Sequence, residues 1–167
     1  MPKDLLILRH GDTQNSHKDG DFSRELTNTG KRNAQRIGLW LSQNDLQPEH
    51  IISSTAMRAK TTAHITCESA GLGTSIIEED KSLYNAPPIN VLESIKQAPI
   101  KGNCLMVVGH NPRLSVLVGQ LSSQFIAMSP ATLVHLRVEG DWADIGTNQI
   151  EFVQAIDANT LPPHTSI

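Results

Sequence analysis

Residues 5–12 read LLILRHGD, and this stretch decides the fold class. A short apolar run that stops abruptly at a polar cluster is typical of a strand buried on both faces of a largely parallel sheet. Residues 105–108 (LMVV) repeat the pattern and continue into residues 109–112 (GHNP). His10 and His110 therefore each follow the carboxyl end of a predicted strand, which is the edge where open α/β sheets bind ligands.

Working outward from these strands, the chain alternates between strand and helix. Thr27 or Thr29 is the predicted N-cap of a helix of about four turns, since apolar residues follow at helical spacing. The remaining predictions are helices over 57–70, 89–95 and 112–121 and strands over 50–53, 75–77, 132–138 and 149–155. The last two strands are predicted to form a hairpin around a turn at residues 139–141. The pattern predicts an α/β fold with a single domain over residues 1–156 and a flexible tail over residues 157–167.

Composition limits the classes of partner. The chain has 167 residues and a net charge of -3, with 14 Lys plus Arg against 17 Asp plus Glu, so no general positive field attracts nucleic acid. The apolar run over residues 5–8 is too short for a signal peptide or a membrane span, so we expect a cytoplasmic protein with no membrane partner. Cys67 and Cys104 lie far apart without a CxxC pattern, and we predict that both are buried rather than joined or bound to zinc.

Four motifs occur in a fixed order along the chain. Arg-His-Gly at residues 9–11 is weak alone, but Arg24 follows just before residues 26–30 (LTNTG), and residues 53–61 (SSTAMRAKT) and 109–112 (GHNP) complete the set. This ordered set resembles the histidine phosphatase superfamily, the phosphoglycerate-mutase-like enzymes. The short chain and the RHGD start are most similar to the small bacterial phosphohistidine phosphatases of the SixA type. The resemblance implies a three-layer α/β/α fold with a mixed, mostly parallel sheet.

The resemblance also implies a set of site residues. It makes His10 the nucleophile that becomes phosphorylated, with Arg9 and Arg58 anchoring the phosphoryl oxygens. It implies that His110 faces the phosphoryl group and that Arg24 lies beside the phosphate. The residue types suit this chemistry independently, because a neutral imidazole nitrogen can attack phosphorus and a planar guanidinium binds two oxygens at once. No metal ion and no cofactor are expected.

Structural alternatives stay open for several of these residues. Arg58 opens a predicted helix and could be a solvated residue on its face, and His110 could be a strand-end histidine satisfied by backbone. Arg24 lies in a polar loop over residues 13–24, where a simple surface charge is the competing interpretation. Arg113 follows His110 closely enough to assist the phosphate, but the outer face of the following helix could equally hold it. The remaining histidines have no motif around them and are interpreted as surface or structural: His17, His50, His64, His135 and His164.

A general acid is missing from its expected place. Larger members of the superfamily carry a glutamate in a Leu-x-Glu segment between the second arginine and the second histidine, whereas residues 81–88 here read KSLYNAPP. Asp12 is a candidate acid because it directly follows the nucleophile motif. Glu78, Glu79 and Asp80 are further candidates, although three adjacent carboxylates before a turn are more typical of a solvated edge. Ser16 stands where mutases have asparagine, so the phosphate pocket is expected to differ there.

The missing glutamate bears on the substrate. An alkoxide leaving group needs a general acid, whose loss costs ~10²- to 10⁴-fold in rate, whereas the imidazole of phosphohistidine can leave as a neutral ring. We therefore predict a phosphatase for phosphohistidine on a protein. The alternatives are a phosphatase for small phosphomonoesters, with a phosphorylated metabolite as partner, and a non-catalytic phosphate-binding module. A metal-dependent hydrolase is disfavoured because the sequence has no HExxH and no acidic cluster at ligand spacing.

Overall fold

A computed structural model describes residues 2–98 and 102–162. The strands are β1 (Lys3–Arg9), β2 (His50–Ser53), β3 (Ile77–Glu79), β4 (Cys104–Gly109), β5 (Thr132–Val138) and β6 (Ile150–Asp157). The helices are α1 (Asn28–Gln43), α2 (Met57–Ser69), α3 (Ser82–Asn85), α4 (Pro88–Lys96) and α5 (Arg113–Ser122). One sheet holds all six strands in the order β3-β2-β4-β1-β5-β6. The first four strands along the chain run parallel, and β5 and β6 are antiparallel to their neighbours.

The central strand β1 is buried on both faces of the sheet. Leu5 and Ile7 pack in a cluster with apolar residues of α4 and α5. Leu6 and Leu8 pack on the opposite face with apolar residues of α1 and α2. Successive side chains of a strand point to opposite faces, so an unbroken apolar run requires a helical layer on each side. The predicted three-layer α/β/α architecture is confirmed.

The start of α1 lies against the turn that follows β1. Of the two predicted caps, Thr27 is the N-cap, and its hydroxyl oxygen accepts a hydrogen bond from the Gly30 N–H at 3.1 Å. A Cβ atom added to Gly11 would lie only 2.8 Å from the carbonyl oxygen of Gly30. Glycine at position 11 therefore allows the backbone after β1 to approach the helix closely.

Two local predictions differ from the structure. The strand predicted over residues 75–77 begins only at Ile77, because Thr74–Ile76 forms a 3₁₀ turn first. The connection between β5 and β6 is longer than the turn predicted at residues 139–141 and contains a 3₁₀ turn over Trp142–Asp144. The buried indole of Trp142 donates a hydrogen bond to the carbonyl oxygen of Gly102 at 3.0 Å, which packs this connection against the end of the sheet where β4 begins.

The flexible tail was predicted to begin at residue 157, but the structure keeps the chain packed past this position. β6 includes Asp157, whose carboxylate accepts hydrogen bonds at 2.9 Å from the Ser129 hydroxyl and from the Asn159 N–H. Ala158 is fully buried within the core on the α1 and α2 side. The chain thus stays packed beyond residue 156, while residues 163–167 lie outside the described residues. Within residues 2–98 and 102–162, no helix is both long and apolar enough to cross a bilayer.

Candidate active site

Two histidines meet where β1 and β4 end side by side. Arg9 pairs with Gly109 in the parallel register, and the backbone N–H of His10 donates to the carbonyl oxygen of Gly109 at 3.0 Å. His10 and His110 thus leave the same edge of the sheet on neighbouring strands. Their ring centroids lie 5.2 Å apart, with the ring planes tilted by 56°. The structure therefore brings together the two histidines that the sequence placed at strand ends.

The side chain of His10 is held as a neutral ring. It is only 7% exposed, and its Nδ1 lies 2.8 Å from the carbonyl oxygen of Gly11, which can only accept. Burial lowers the pKa of His10 to about 4, against a smaller opposing effect of the Gly11 bond, and the positive charges of Arg58, Arg9 and Arg24 lower it further. With its single proton on Nδ1, the ring leaves the lone pair of Nε2 free.

Arg9 and Arg58 are anchored within electrostatic reach of His10. Arg9 donates from Nη1 to the carbonyl oxygen of Met128 at 2.9 Å, and its Nε is buried without a partner among the described residues. Arg58 is 7% exposed and donates to Asp21 twice, to the carbonyl oxygen at 2.8 Å and to the carboxylate at 3.1 Å. Arg58 is thus a buried, fixed cation, and its interpretation as a solvated residue on the helix face is excluded.

Arg24 is fixed by the loop that joins β1 to α1. Its Nε donates to the carbonyl oxygen of Gln14 at 2.8 Å, and its Nη2 donates to the hydroxyl of Thr13 at 2.6 Å. Its Nη1 bonds the carboxylate of Asp21 at 2.9 Å. The guanidinium therefore does not extend freely into solvent, and its charge contributes to the low pKa of His10.

Asp21 and Tyr84 belong to this cluster although the sequence analysis did not select them. The Tyr84 hydroxyl donates to the Asp21 carboxylate at 2.7 Å, and this bond, with those from Arg24 and Arg58, holds the pKa of Asp21 well below its usual range. The same bond raises the pKa of Tyr84. The Tyr84 ring packs edge-on against His110, with centroids 5.7 Å apart. Tyr84 is the chain's single tyrosine and lies in the segment where a glutamate was expected, a signal that could have marked it.

His110 is the second buried histidine of the site. It is 4% exposed, and burial lowers its pKa to about 3, with smaller effects from His10, Arg58 and Arg113. Its Nε2 lies 2.7 Å from the hydroxyl oxygen of Ser54, and its Nδ1 is buried without a partner among the described residues. Because the positive charge of Arg113 helps to lower the pKa of His110, Arg113 is close enough for its charge to act on the site.

Comparison with known proteins identifies the family. The model of the histidine phosphatase superfamily (branch 1) matches residues 5–83. An uncharacterized protein of Mycobacterium tuberculosis is 30% identical over 152 residues, which cover 83% of this chain and 91% of the relative. The chain belongs to the histidine phosphatase superfamily. It is accordingly a hydrolase of the phosphatase type that acts through a histidine. A second relative, from Mycobacterium leprae, is 28% identical over 144 residues, covering 80% of this chain and 86% of the relative.

Solved structures of the same fold are close in shape to this histidine phosphatase. A protein named SixA from Nakamurella multipartitia has a TM-score of 0.85 at 21% identity, covering 94% of this chain and 96% of the other. The protein histidine phosphatase SixA complexed with tungstate has a TM-score of 0.81 at 19% identity, covering 93% and 97%. A mycobacterial glucosyl-3-phosphoglycerate phosphatase has a TM-score of 0.67 at 19% identity, covering 91% and 97%.

The candidate acids of this histidine phosphatase all pair with residues other than His10 and His110. The carboxylate of Asp12 accepts a hydrogen bond from the Thr27 hydroxyl at 2.7 Å, at the start of α1. The other three bond as follows: Glu78 with His50 at 2.9 Å, Glu79 with Lys60 at 3.8 Å, and Asp80 with Ser82 and Ser94. Across residues 2–98 and 102–162, none of these carboxylates is hydrogen-bonded to His10 or His110. Ser16 is exposed in the loop before α1.

The other histidines and the cysteines lie outside the site. His17 pairs with Asp19 in the loop, and the buried His135 bonds Asp4 at 2.7 Å. His64 is partly buried on α2, and His164 lies outside the described residues. Both cysteines are unpaired and buried, as predicted, and burial raises the pKa of Cys104 to about 12. In the part of the chain that the structure describes, no group of three or more potential metal-ligating His, Cys, Asp or Glu side chains occurs.

Proposed function

We propose that this protein is a metal-independent phosphatase in which Nε2 of His10 attacks phosphorus, and that its substrate is phosphohistidine carried by a protein. One observation supports the mechanism above the others. Burial keeps the His10 ring neutral, and the bond from its Nδ1 to the Gly11 carbonyl holds the single proton on Nδ1, which leaves Nε2 with a free lone pair beside His110. A binding module needs cations but has no use for such a nucleophile.

The proposed reaction has two displacements. The lone pair of Nε2 forms a bond to phosphorus while the bond to the leaving group breaks, and the leaving group departs with that electron pair. Water then attacks the phosphorus of phospho-His10 while the bond from phosphorus to Nε2 breaks. The electron pair of that bond returns to Nε2 and restores the neutral ring, and the proton that the water loses passes to the released phosphate or to solvent. Charge on the equatorial oxygens is stabilised by donors that are already in place.

In the proposal, three arginines supply the positive charge that stabilises the equatorial oxygens. A guanidinium has five N–H donors. Arg58 uses two of them on Asp21, and Arg24 uses three within its loop, so each keeps donors for phosphoryl oxygens. Arg9 is held by one bond to Met128. These cations do the work that a divalent ion does in metal-dependent phosphoryl transfer, which supports metal independence.

The protonation of the site supports phosphohistidine as substrate. The low pKa of Asp21 keeps this carboxylate ionised, so it has no proton to give, and the Tyr84 proton is committed to Asp21. A leaving group that brings its own proton is therefore favoured. A cleft of about 610 Å³ adjoins Tyr84 and is lined by Phe22, Thr55 and Asn85 among others, which offers room for a side chain of a partner protein.

A small phosphomonoester is the second candidate substrate. Lys81 lines the same cleft and could pair with an acidic group of a phosphorylated metabolite. Such a substrate needs an acid for its alkoxide, and the rate comparison below separates the two candidates.

The test measures kcat/KM on three substrates with His10→Ala as the blank. These are a protein whose histidines have been phosphorylated with phosphoramidate, a nitrophenyl phosphate and a sugar phosphate. We expect the phosphohistidine protein to rank first, the aryl phosphate second and the sugar phosphate last, with all rates unchanged by a chelator. Equal rates on histidine and alkyl phosphates would contradict the substrate, and restoration of a chelated, inactive enzyme by one divalent ion would contradict metal independence.

Trapping the intermediate tests the mechanism separately. Rapid acid-free quenching during turnover, followed by mass spectrometry at alkaline pH, should locate an acid-labile phosphoryl group on His10. Turnover without a label at His10, or a label at another residue, would overturn the nucleophile.

A further inference from the structure

Ser54 lies behind His110 and touches its ring. It is the first residue after β2, its side chain is fully buried, and its N–H donates to the carbonyl oxygen of Val108 at 3.0 Å. Its hydroxyl oxygen accepts a hydrogen bond from the Ala56 N–H at 3.2 Å and lies 2.7 Å from Nε2 of His110. Two hydrogen bonds to backbone, at Val108 and Ala56, thus fix the position of Ser54 next to the imidazole.

Counting protons assigns the direction of the bond between Ser54 and His110. A hydroxyl has one proton to donate and two lone pairs. The Ala56 N–H occupies one lone pair, and within residues 2–98 and 102–162 the only remaining partner of the hydroxyl is Nε2 of His110. If Nε2 carried the proton, both the serine proton and the lone pair of Nδ1 would be buried without partners among the described residues, whereas a proton on Nδ1 leaves only that one N–H unpaired. The hydroxyl therefore donates, and Nε2 accepts.

The direction of this bond determines what His110 presents to the site. Burial keeps the ring neutral by lowering its pKa to about 3, so a ring that accepts at Nε2 has its one proton on Nδ1. That Nδ1 is buried and has no partner among the described residues. A buried N–H without an acceptor is unfavourable, so an acceptor that enters the site next to it would be bound. The His10 ring lies beside the His110 ring, with centroids 5.2 Å apart.

We propose that Ser54 is a positioning residue that fixes His110 as the Nδ1–H tautomer, so that this N–H donates to an oxygen of the phosphoryl group on or approaching His10. The proposal rests on the proposed function for its catalytic consequence. The other tautomer directs a lone pair toward the oxyanion and repels it. A rigid serine thereby converts a ring with two possible proton positions into a fixed donor.

The tautomer is measurable without any substrate. The ¹⁵N chemical shifts of the His110 ring at neutral pH should show a protonated Nδ1 and an unprotonated Nε2 in the wild-type protein. Ser54→Ala should move the population toward Nε2–H. Ser53→Ala is the matched control, because Ser53 is also fully buried but its hydroxyl donates to the Ser54 carbonyl oxygen at 2.9 Å. A wild-type ring with its proton on Nε2 overturns the proposal, even if Ser54→Ala fails to fold.

Kinetics test the consequence for catalysis. Ser54→Ala should lower kcat by about 10- to 10²-fold, somewhat less than loss of a whole oxyanion donor, with a smaller change in KM. Ser54→Thr, which keeps the hydroxyl, should recover part of the loss. In a His110→Ala background, Ser54→Ala should cost nothing more, whereas an equal loss in both backgrounds would overturn the role. If the ring shows the expected tautomer but the protein hydrolyses no phosphorylated substrate, the proposed function is contradicted while the tautomer assignment stands.

Discussion

The carboxylate of Asp21 accepts a hydrogen bond from Arg58 at 3.1 Å and one from Arg24 at 2.9 Å. A buried arginine without a partner is strongly unfavourable, so this pairing stabilises Arg58 while the site holds no substrate. It also places a negative charge beside the cations proposed to bind phosphate. A phosphoryl group that reaches Arg58 therefore meets a second anion on the same guanidinium.

Asp21→Asn should tighten the binding of inorganic phosphate and vanadate. The amide oxygen can still accept from an arginine, but the charge that opposes the incoming anion is gone. We expect about a fivefold lower Kd, equivalent to about 1 kcal/mol for a partly exposed charge. Isothermal titration measures it, with Asp19→Asn as the control because the carboxylate of Asp19 pairs with His17 in the same loop, at 3.7 Å. Weaker binding by Asp21→Asn would mean that orientation of Arg58 matters more than repulsion.

Arg58→Ala should lower kcat by ~10²- to 10³-fold, the usual effect of removing one donor to a developing oxyanion. Arg58→Lys should lose less, because it keeps the charge and loses only the planar fork. Steady-state kinetics with a nitrophenyl phosphate provides the measurement. The control is Arg137→Ala, at the opposite edge of the sheet, where Arg137 pairs with Glu151 at 3.6 Å. Similar losses of kcat in both variants would show that Arg58 does not stabilise the phosphoryl oxygens.

Turnover should persist to unusually low pH. Only a neutral imidazole has a lone pair for phosphorus, and the neutral fraction of His10 falls only near its pKa of about 4 rather than near 6.5. The acid limb of kcat/KM, corrected for ionisation of the substrate, should therefore lie below pH 5. An acid limb centred near pH 6.5 on a substrate that does not titrate there would contradict the buried, neutral state of His10.

Stability should fall as the pH drops from about 6.5 toward 4. In this window the unfolded chain binds protons at His10 and His110 that the folded chain does not bind, since both folded pKa values are lowered, to about 4 and about 3. Each histidine contributes a slope of up to about 1.4 kcal/mol per pH unit. Urea unfolding at pH 7, 6 and 5 measures the slope, which should be smaller in His10→Gln. Parallel profiles for the two proteins would refute the lowered pKa of His10.

Gly11→Ala should lower both stability and activity. The added methyl group would lie 2.8 Å from the Gly30 carbonyl oxygen, and backbone on both sides cannot move aside cheaply. Overpacking of this kind costs about 1 to 3 kcal/mol. The same shift disturbs the carbonyl that holds Nδ1 of His10. Gly73→Ala is the control, because its Cβ would meet only the Ser75 hydroxyl oxygen at 4.0 Å. Thermal unfolding and kcat should be near normal in Gly73→Ala and reduced in Gly11→Ala.

The strand ends and the first helix could be predicted because their signals are local. An apolar run that stops at a polar residue marks a doubly buried strand, and this placed His10 and His110 correctly on one edge of the sheet. The Thr27 cap is equally local, since its hydroxyl bonds an N–H three residues away. Residues 75 and 76 show the limit, because they were predicted as strand but form a 3₁₀ turn, and the strand begins only at Ile77.

The surroundings of the two histidines could not be predicted in this way. Asp21 is 37 residues from Arg58, and Ser54 is 56 residues from His110, and both pairs form only after loops and strand ends pack together. No periodicity links such residues, since loop geometry depends on which tertiary contacts satisfy its polar groups.

The sequence by itself determined the alternation of strands and helices, the two histidines at the sheet edge and the order of the arginine motifs, because each depends on neighbours within a few residues. Only the tertiary structure decided that Asp21 pairs with Arg58, that Tyr84 bonds Asp21, and that Ser54 bonds His110. The physical reason is that protonation states and hydrogen-bond directions depend on burial and on groups distant in the chain, and packing alone brings those together.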